Sequence, residues 1–244
     1  MIIINLRKFL RSRRFFFGVT VLFAIGALAV QVSQNMNSGP MAIAKVKTED
    51  KVCALTFDIS WGDKYSPSIL DTLKKNNVRA TFFIMGPWAV KYPDIARRIA
   101  LEGHEVGSHG YKHENYGEKS ADWVRNDIQK AHKQIQEVTG KEAALLRPPN
   151  GHYSKQSLQV TEELNYRTII WDADSLDWKN PGTEVVIKRV LTKTKPGSII
   201  LLHASDTPVQ TAEALPVILD GLKAQGYTFV TVGELLAKYP PVRH

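Results

Sequence analysis

The stretch VCALTFD, residues 52–58, is an apolar run that ends in an aspartate. An unbroken run of this length is typical of a strand buried on both faces, as in a parallel sheet. Similar short runs followed by polar residues recur along the chain at 80–85, 105–108, 145–147, 168–172, 198–203 and 228–232. These seven runs predict the strands of one α/β domain.

Amphipathic stretches with helical periodicity separate the predicted strands. They cover residues 68–76, 94–101, 121–138, 155–164, 183–192 and 211–225. Strands that alternate with helices favour a parallel sheet. Periodicity alone leaves both a closed barrel and an open, doubly wound sheet as solutions.

A basic and then apolar leader precedes this domain. Residues 1–14 hold five basic and no acidic side chains, and residues 15–32 are almost entirely apolar. This pattern is typical of a signal anchor or a cleavable export signal. Small residues at 27–29 and 42–44 offer two cleavage sites. We therefore predict a cytoplasmic leader at 1–14, a membrane segment at 15–32, a tether at 33–50 and an exported domain at 51–244.

Composition excludes several classes of protein. The chain has 244 residues, of which 43% are hydrophobic and 23% charged, as in ordinary globular proteins. Its net charge of +8 comes largely from the leader, and the remainder holds 27 basic and 24 acidic residues. We therefore expect no nucleic-acid partner. The single cysteine, Cys53, lies in a predicted strand and excludes an intrachain disulfide.

Ionisable side chains follow five of the predicted strands. Because the carboxyl ends of parallel strands meet at one edge of a sheet, these residues are candidates for a common site. They are Asp58, His109, His113, Arg147, Asp174, Asp177 and His203. Each also has a structural interpretation, such as a helix cap for an aspartate or a buried core position for His203. The other histidines, at 104, 132, 152 and 244, are predicted to be structural or exposed.

Five short motifs carry a family resemblance. TFD at 56–58, SHGYKH at 108–113, RPP at 147–149, DSLDW at 174–178 and LLH at 201–203 occur in this order. They resemble the five motifs of the polysaccharide deacetylases, the NodB-homology group or carbohydrate esterase family 4. Within that family the chain is most similar to the sporulation-associated, PdaB-like deacetylases of spore-forming bacilli. The resemblance implies a single-domain, distorted (β/α) barrel of about seven strands that de-N-acetylates peptidoglycan.

The resemblance also implies catalytic roles for these side chains. Asp58 corresponds to the general base, and Arg147 to the residue that orients its carboxylate and keeps it ionised. His203 corresponds to the general acid, with Asp177 holding its imidazole, and Asp174 belongs to the same motif. Substrate contacts are expected from Trp178 and Pro149. A further contact is expected near Asn150, where the family usually has tyrosine and where a backbone N–H is a candidate donor to the oxyanion.

The resemblance further implies a divalent metal, namely zinc, cobalt or nickel, at His109 and His113. The family's first motif normally supplies a third ligand as a second aspartate, but Ile59 stands in that place. Isoleucine cannot bind a metal, so we expect weakened metal binding. Asp63 is the nearest carboxylate downstream.

Three functions remain open at this point. The first is a metal-assisted peptidoglycan deacetylase. The second is a family member that binds glycan without turnover because of Ile59. The third is a different hydrolase that shares only the fold. For all three we expect an exported, membrane-anchored or secreted protein on the outer face of the cell membrane, with the developing spore implied by the resemblance alone.

Overall fold

Seven strands close into a barrel, and the carboxyl ends of its parallel strands meet at one rim. The computed structural model describes residues 39–243. Around the barrel the strand order is β1-β6-β5-β4-β3-β2-β8, and a pairing between β8 and β1 closes the ring. This arrangement confirms the distorted (β/α) barrel implied by the resemblance.

The strands are two to eight residues long. They are β1 Ala42–Val46, β2 Val52–Ile59, β3 Thr81–Ile84, β4 Glu105–Ser108, β5 Leu145–Leu146, β6 Arg167–Ile169, β7 Ala173–Asp174, β8 Ser198–His203, β9 Thr228–Phe229 and β10 Pro241–Arg243. The strands β7, β9 and β10 extend the sheet outside the ring by pairing with β8, β2 and β1 respectively.

Helices pack around the barrel. They are α1 Ser66–Lys75, α2 Gly86–Lys91, α3 Pro93–Leu101, α4 Ala121–Thr139, α5 Lys155–Glu163, α6 Thr183–Lys193, α7 Thr211–Ala224 and α8 Val232–Lys238. The longest, α4, begins at an N-cap serine, Ser120, whose hydroxyl accepts from the Trp123 N–H, and ends at Gly140 in the left-handed conformation. None of the helices within residues 39–243 has the length and apolarity needed to cross a membrane.

Side chains of β2 alternate between two apolar cores. Leu55 and Phe57 belong to the large cluster that β2 forms with the helices, including Leu70 of α1. Ala54, on the opposite face, belongs to a second cluster inside the barrel with Phe83. The alternation follows from strand geometry, in which successive side chains point to opposite faces. It therefore directs Thr56 and Asp58 towards the barrel interior.

The folded unit begins earlier than the sequence suggests. Residues 42–46, which we assigned to the tether and to a possible cleavage site, form β1, whose Ile43 and Val46 are buried. The strands β7 and β10 are also absent from the sequence prediction, and β5 and β9 are shorter than predicted. The predicted basic leader and membrane segment at 1–32 lie outside the described residues.

Candidate active site

A cavity of about 290 Å³ opens at the rim where the strands end. This is the edge at which ligands bind in parallel α/β folds. The lining includes five of the predicted site residues that follow strands, namely Asp58, His109, His113, Asp174 and His203. Asn150 and Trp178 line it as well. The structure therefore brings side chains from five separate strand ends into one small space.

Arg147 and Asp58 form a buried ion pair at the base of this cavity. One guanidinium nitrogen, Nη1, donates to Asp58 Oδ1 at 2.8 Å and to Thr56 Oγ1 at 2.8 Å. The other terminal nitrogen, Nη2, donates to the carbonyl oxygen of Ile170 at 3.1 Å. The guanidinium also lies 4.2 Å from the centre of the Phe83 ring. These contacts satisfy the two terminal nitrogens of a side chain that has no exposed surface, whereas its buried Nε has no hydrogen-bond partner among the described residues.

The ion pair keeps the Asp58 carboxyl ionised. Burial by itself raises the pKa of Asp58, but the positive charge of Arg147, reinforced by His203, lowers this pKa below its usual value. The register of strands β2 and β8 places Asp58 directly beside His203. A carboxylate acceptor and an imidazole therefore stand side by side at the cavity floor.

His109 is held as a neutral imidazole of defined tautomer. Its Nδ1 lies 2.8 Å from the carbonyl oxygen of Arg147, and a carbonyl only accepts, so Nδ1 carries the proton. The lone pair is thus on Nε2, which lies 3.9 Å from Asp58 Oδ2. Burial lowers the pKa of His109 to about 4. This arrangement is the usual one for a histidine that binds a metal through Nε2.

The remaining residues do not complete a metal site. The His113 ring centre is 5.3 Å from that of His109, so two imidazoles converge on the cavity. Among residues 39–243 there is no group of three or more histidine, cysteine, aspartate or glutamate side chains arranged to hold a metal ion. Ile59 is fully buried in the apolar core, and Asp63 is exposed and not among the residues that line the cavity. A metal would therefore find two of its expected three protein ligands.

His203 and Asp177 form a second charged pair. The Nδ1 of His203 lies 2.8 Å from Asp177 Oδ1, and its backbone N–H donates to Asp177 Oδ2 at 2.7 Å. The hydroxyl of Thr211 at the start of α7 also donates to Oδ2, at 2.7 Å. Burial lowers the pKa of His203, but the carboxylate of Asp177 outweighs it and raises this pKa above its usual value. His203 is therefore biased towards the protonated form.

The other predicted residues lie at the edge of the cavity or outside it. Asp174 ends β7, and its Oδ1 accepts from the Leu176 N–H at 2.8 Å, which stabilises the turn that leads to Asp177. Asn150 adopts a left-handed backbone conformation, with φ of +57°, and it lines the cavity. Pro149, for which we expected a substrate contact, is buried and does not line the cavity. Trp178 is 46% exposed, so it forms part of the mouth rather than a closed wall.

Several residues that line the cavity were not predicted from the sequence. They are Ser60, Trp61, Trp171, Leu201, Ser205, Thr207 and Pro208. Trp61 had a detectable signal, because an aromatic residue and a glycine directly follow the strand that ends in Asp58. The segment 204–209 had none, since nothing in its composition separates it from an ordinary surface loop.

Comparisons with known proteins agree with this geometry. The profile of the polysaccharide deacetylase family matches residues 45–169. A peptidoglycan-N-acetylglucosamine deacetylase, PgdA, of Listeria monocytogenes is 40% identical over 79% of this chain and 40% of its own length. The peptidoglycan-N-acetylmuramic acid deacetylase PdaA of Bacillus subtilis is 35% identical over 78% of this chain and 73% of its own length. The chain thus spans less than half of the Listeria relative.

Among solved structures, a CE4 family pseudoenzyme from Bacillus anthracis is similar. It superposes with a TM-score of 0.78 and 34% identity, covering 82% of this chain and 70% of that one. A mutant of that pseudoenzyme with restored enzymatic activity superposes with the same TM-score. Both active and inactive proteins therefore share this fold.

Proposed function

The chain belongs to the polysaccharide deacetylase family, and from that premise we propose that it removes acetyl groups from the N-acetylated sugars of peptidoglycan. One observation carries this proposal. An ionised carboxylate, Asp58, and an imidazole whose pKa is raised, His203, lie side by side in one cavity. Hydrolysis of an amide needs a base for the attacking water and an acid for the leaving amine.

In this mechanism Asp58 accepts a proton from the attacking water. Arg147 acts by positioning, since it fixes the carboxylate and keeps it ionised through the 2.8 Å contact. The amide N–H of Asn150 is our candidate for the oxyanion, because the neighbouring N–H groups of Gly151 and His152 already donate to proline carbonyls. His203 then delivers its proton to the leaving nitrogen, while Asp177 stabilises the imidazolium. No step is assigned to a metal, because the described residues supply an incomplete set of ligands.

Acetate release from soluble peptidoglycan fragments tests the proposal. We expect release by the wild-type protein, with zinc or cobalt added, to fall by at least about 100-fold in Asp58→Asn and in His203→Ala, the usual effect of removing a general acid or base. Asp63→Asn is the matched control, since that carboxylate is exposed and outside the cavity. Equal rates in all four proteins would exclude the assigned roles.

A second candidate function is glycan binding without turnover. Ile59 favours it, because the position that the family uses for a metal ligand is an apolar, fully buried side chain. Calorimetry with the same peptidoglycan fragments distinguishes the two functions. Binding accompanied by no acetate release under any added metal would support the binding function over the enzyme.

We further propose that the domain is exported and held near the outer face of the cell membrane by residues 15–32, with a role in sporulation. The support is the basic and apolar pattern of the leader and the family resemblance. The two relatives act on different sugars of peptidoglycan, N-acetylglucosamine for the Listeria protein and N-acetylmuramic acid for the Bacillus protein. Fractionation of sporulating cells with an antibody against the domain tests the location, and recovery in the cytosol would contradict it.

A further inference from the structure

The mouth of the cavity carries two tryptophans whose rings face solvent. Trp61 is 49% exposed and Trp178 is 46% exposed, and both line the cavity. The other large hydrophobic side chains that are exposed in residues 39–243 are five aliphatic residues, namely Val90, Leu101, Val185, Val209 and Val217. Two exposed indoles beside a catalytic cavity are typical of a recognition surface, since such rings bury large areas when a ligand covers them.

The ring of Trp61 is held in place rather than free to rotate. Its Nε1 donates to Thr207 Oγ1 at 3.0 Å, and its backbone carbonyl accepts from the Asp206 N–H at 3.3 Å. Its ring lies edge-on to that of His113, with 6.0 Å between the ring centres. The next residue towards the strand, Ser60, donates its N–H to Ser205 Oγ at 2.9 Å. The exposed ring is therefore ordered before any ligand arrives.

The turn after Trp61 is fixed by a close approach of two loops. Gly62 has φ of +76°, and a Cβ at this position would lie 2.0 Å from Cγ of Asp206. The same carboxylate accepts from the Lys64 N–H at 2.8 Å, and the carbonyl of Gly62 accepts from Trp88 Nε1 at 2.7 Å. Only glycine permits this packing. The loop that carries Trp61 is thus locked against the segment 204–209.

The loop that carries Trp178 is fastened to the same segment. Asn180 Nδ2 donates to the carbonyl of Thr207 at 3.0 Å, and the Val209 N–H donates to Asn180 Oδ1 at 3.1 Å. Thr207 therefore contacts both tryptophan-bearing loops, through its hydroxyl on one side and its carbonyl on the other. The two loops and the segment between them form one hydrogen-bonded rim.

Cavity size indicates what such a rim binds. A volume of about 290 Å³ is at the small end for ligand sites, so a polymer cannot be enclosed and must continue across the mouth. Flat aromatic rings bind the apolar C–H face of a pyranose by dispersion and hydrophobic contact. Because Trp61 is already ordered, little conformational entropy is lost on stacking.

We propose that Trp61 is a specificity-determining residue that stacks on the sugar ring next to the one entering the cavity. The inference rests on the proposed function, in which an N-acetylated glycan occupies this site. It assigns the chain a preference for oligomers over single sugars. The preference comes from the mouth and is separate from the acid–base residues at the floor.

Binding of N-acetylglucosamine and of its tetramer, measured by calorimetry, tests this assignment. We expect Trp61→Ala to weaken tetramer binding roughly tenfold, about the effect of truncating one aromatic stacking platform, and to leave monomer binding unchanged. Trp61→Tyr keeps a flat ring and should retain most of the affinity. Leu101→Ala, at a position that is 85% exposed and outside the cavity lining, is the control and should change neither affinity.

Three results overturn the assignment, and they differ in what else they contradict. Unchanged tetramer binding by Trp61→Ala excludes the stacking contact but does not contradict the proposed function. An equal loss of affinity for monomer and tetramer shows that Trp61 contacts the sugar inside the cavity rather than a neighbouring sugar. Failure of the wild-type protein both to bind the tetramer and to deacetylate peptidoglycan fragments excludes the proposed function, and the assignment with it.

Discussion

Substitution of the buried Arg147 should lower the stability of the fold, because this residue neutralises a carboxylate of the site. In Arg147→Met the Asp58 carboxyl stays buried, at 4% exposure, while its partner at 2.8 Å is lost. Breaking a buried ion pair in this way typically costs about 3–5 kcal/mol in free energy of unfolding. For a domain of this size each kcal/mol shifts Tm by about 2–4 °C, so we expect Tm to fall by about 6–20 °C at neutral pH.

The pH dependence of this loss identifies its cause. In the wild-type protein the lowered pKa of Asp58 contributes stability above the unfolded pKa, and this contribution disappears as the pH falls through the folded pKa. Without Arg147, burial is the dominant influence and raises the pKa of Asp58 above its unfolded value. Protonation then favours the folded state, so the deficit of Arg147→Met should shrink as the pH falls from 7 towards 4.

Two further variants complete the measurement by calorimetric or denaturant unfolding. Arg147→Met with Asp58→Asn removes both charges and should recover part of the stability lost in the single variant. Arg125→Met removes a surface ion pair with Glu163, in which both side chains are more than one-third exposed, and should cost about 0–1 kcal/mol. A pH-independent loss in Arg147→Met, or a loss no larger than that of Arg125→Met, would refute the electrostatic explanation.

Other predictions concern the acid, the metal ligands and the thiol. In Asp177→Asn the pKa of His203 should fall, so the rate of acetate release should begin to decline at a lower pH on the alkaline side of its pH profile. An unchanged pH profile contradicts the role of this pair. Ile59→Asp puts a carboxylate at a fully buried position of the apolar core, so Tm should fall without metal. We expect Tm to recover by several degrees when zinc is added, because the new carboxylate would act as the third ligand beside His109 and His113, and a variant insensitive to zinc would argue against a third ligand here. Burial raises the pKa of Cys53 to about 12, so a thiol reagent at pH 8 should label it only after unfolding, and rapid labelling of the native protein would contradict its burial.

The strands that form the floor of the site are predictable from local sequence. Runs such as 52–58 and 198–203 are apolar on both faces because the barrel interior and the helices cover them. An ionisable residue at the end of such a run marks the point at which the strand reaches the rim of the barrel, where the cavity lies. Local sequence is therefore sufficient to locate the strand ends that supply Asp58 and His203.

The parts that could not be predicted depend on contacts distant in sequence. The strand β1 contains Lys45 and small residues that resemble a signal cleavage site, and it becomes a strand because β6 and β8 pair with it. Closure of the barrel through Lys45 and Ser198 joins residues more than 150 positions apart. The rim at Thr207 has the same origin, because its partners lie on two other loops. Periodicity carries no information about such pairings.

The structure also changes what the presence of the acid–base residues means. Arg147 and Asp58 are buried and hydrogen-bonded to Thr56 and the backbone, so a protein that only bound glycan would need them for folding. Their presence alone therefore does not favour catalysis over binding; the observation that favours catalysis is the position of Asp58 beside His203 in the cavity. His113 differs, because its side chain is exposed and its substitution should cost little stability. A loss of acetate release in His113→Ala at unchanged Tm would consequently report chemistry alone, whereas the same loss in Arg147→Met reports folding as well.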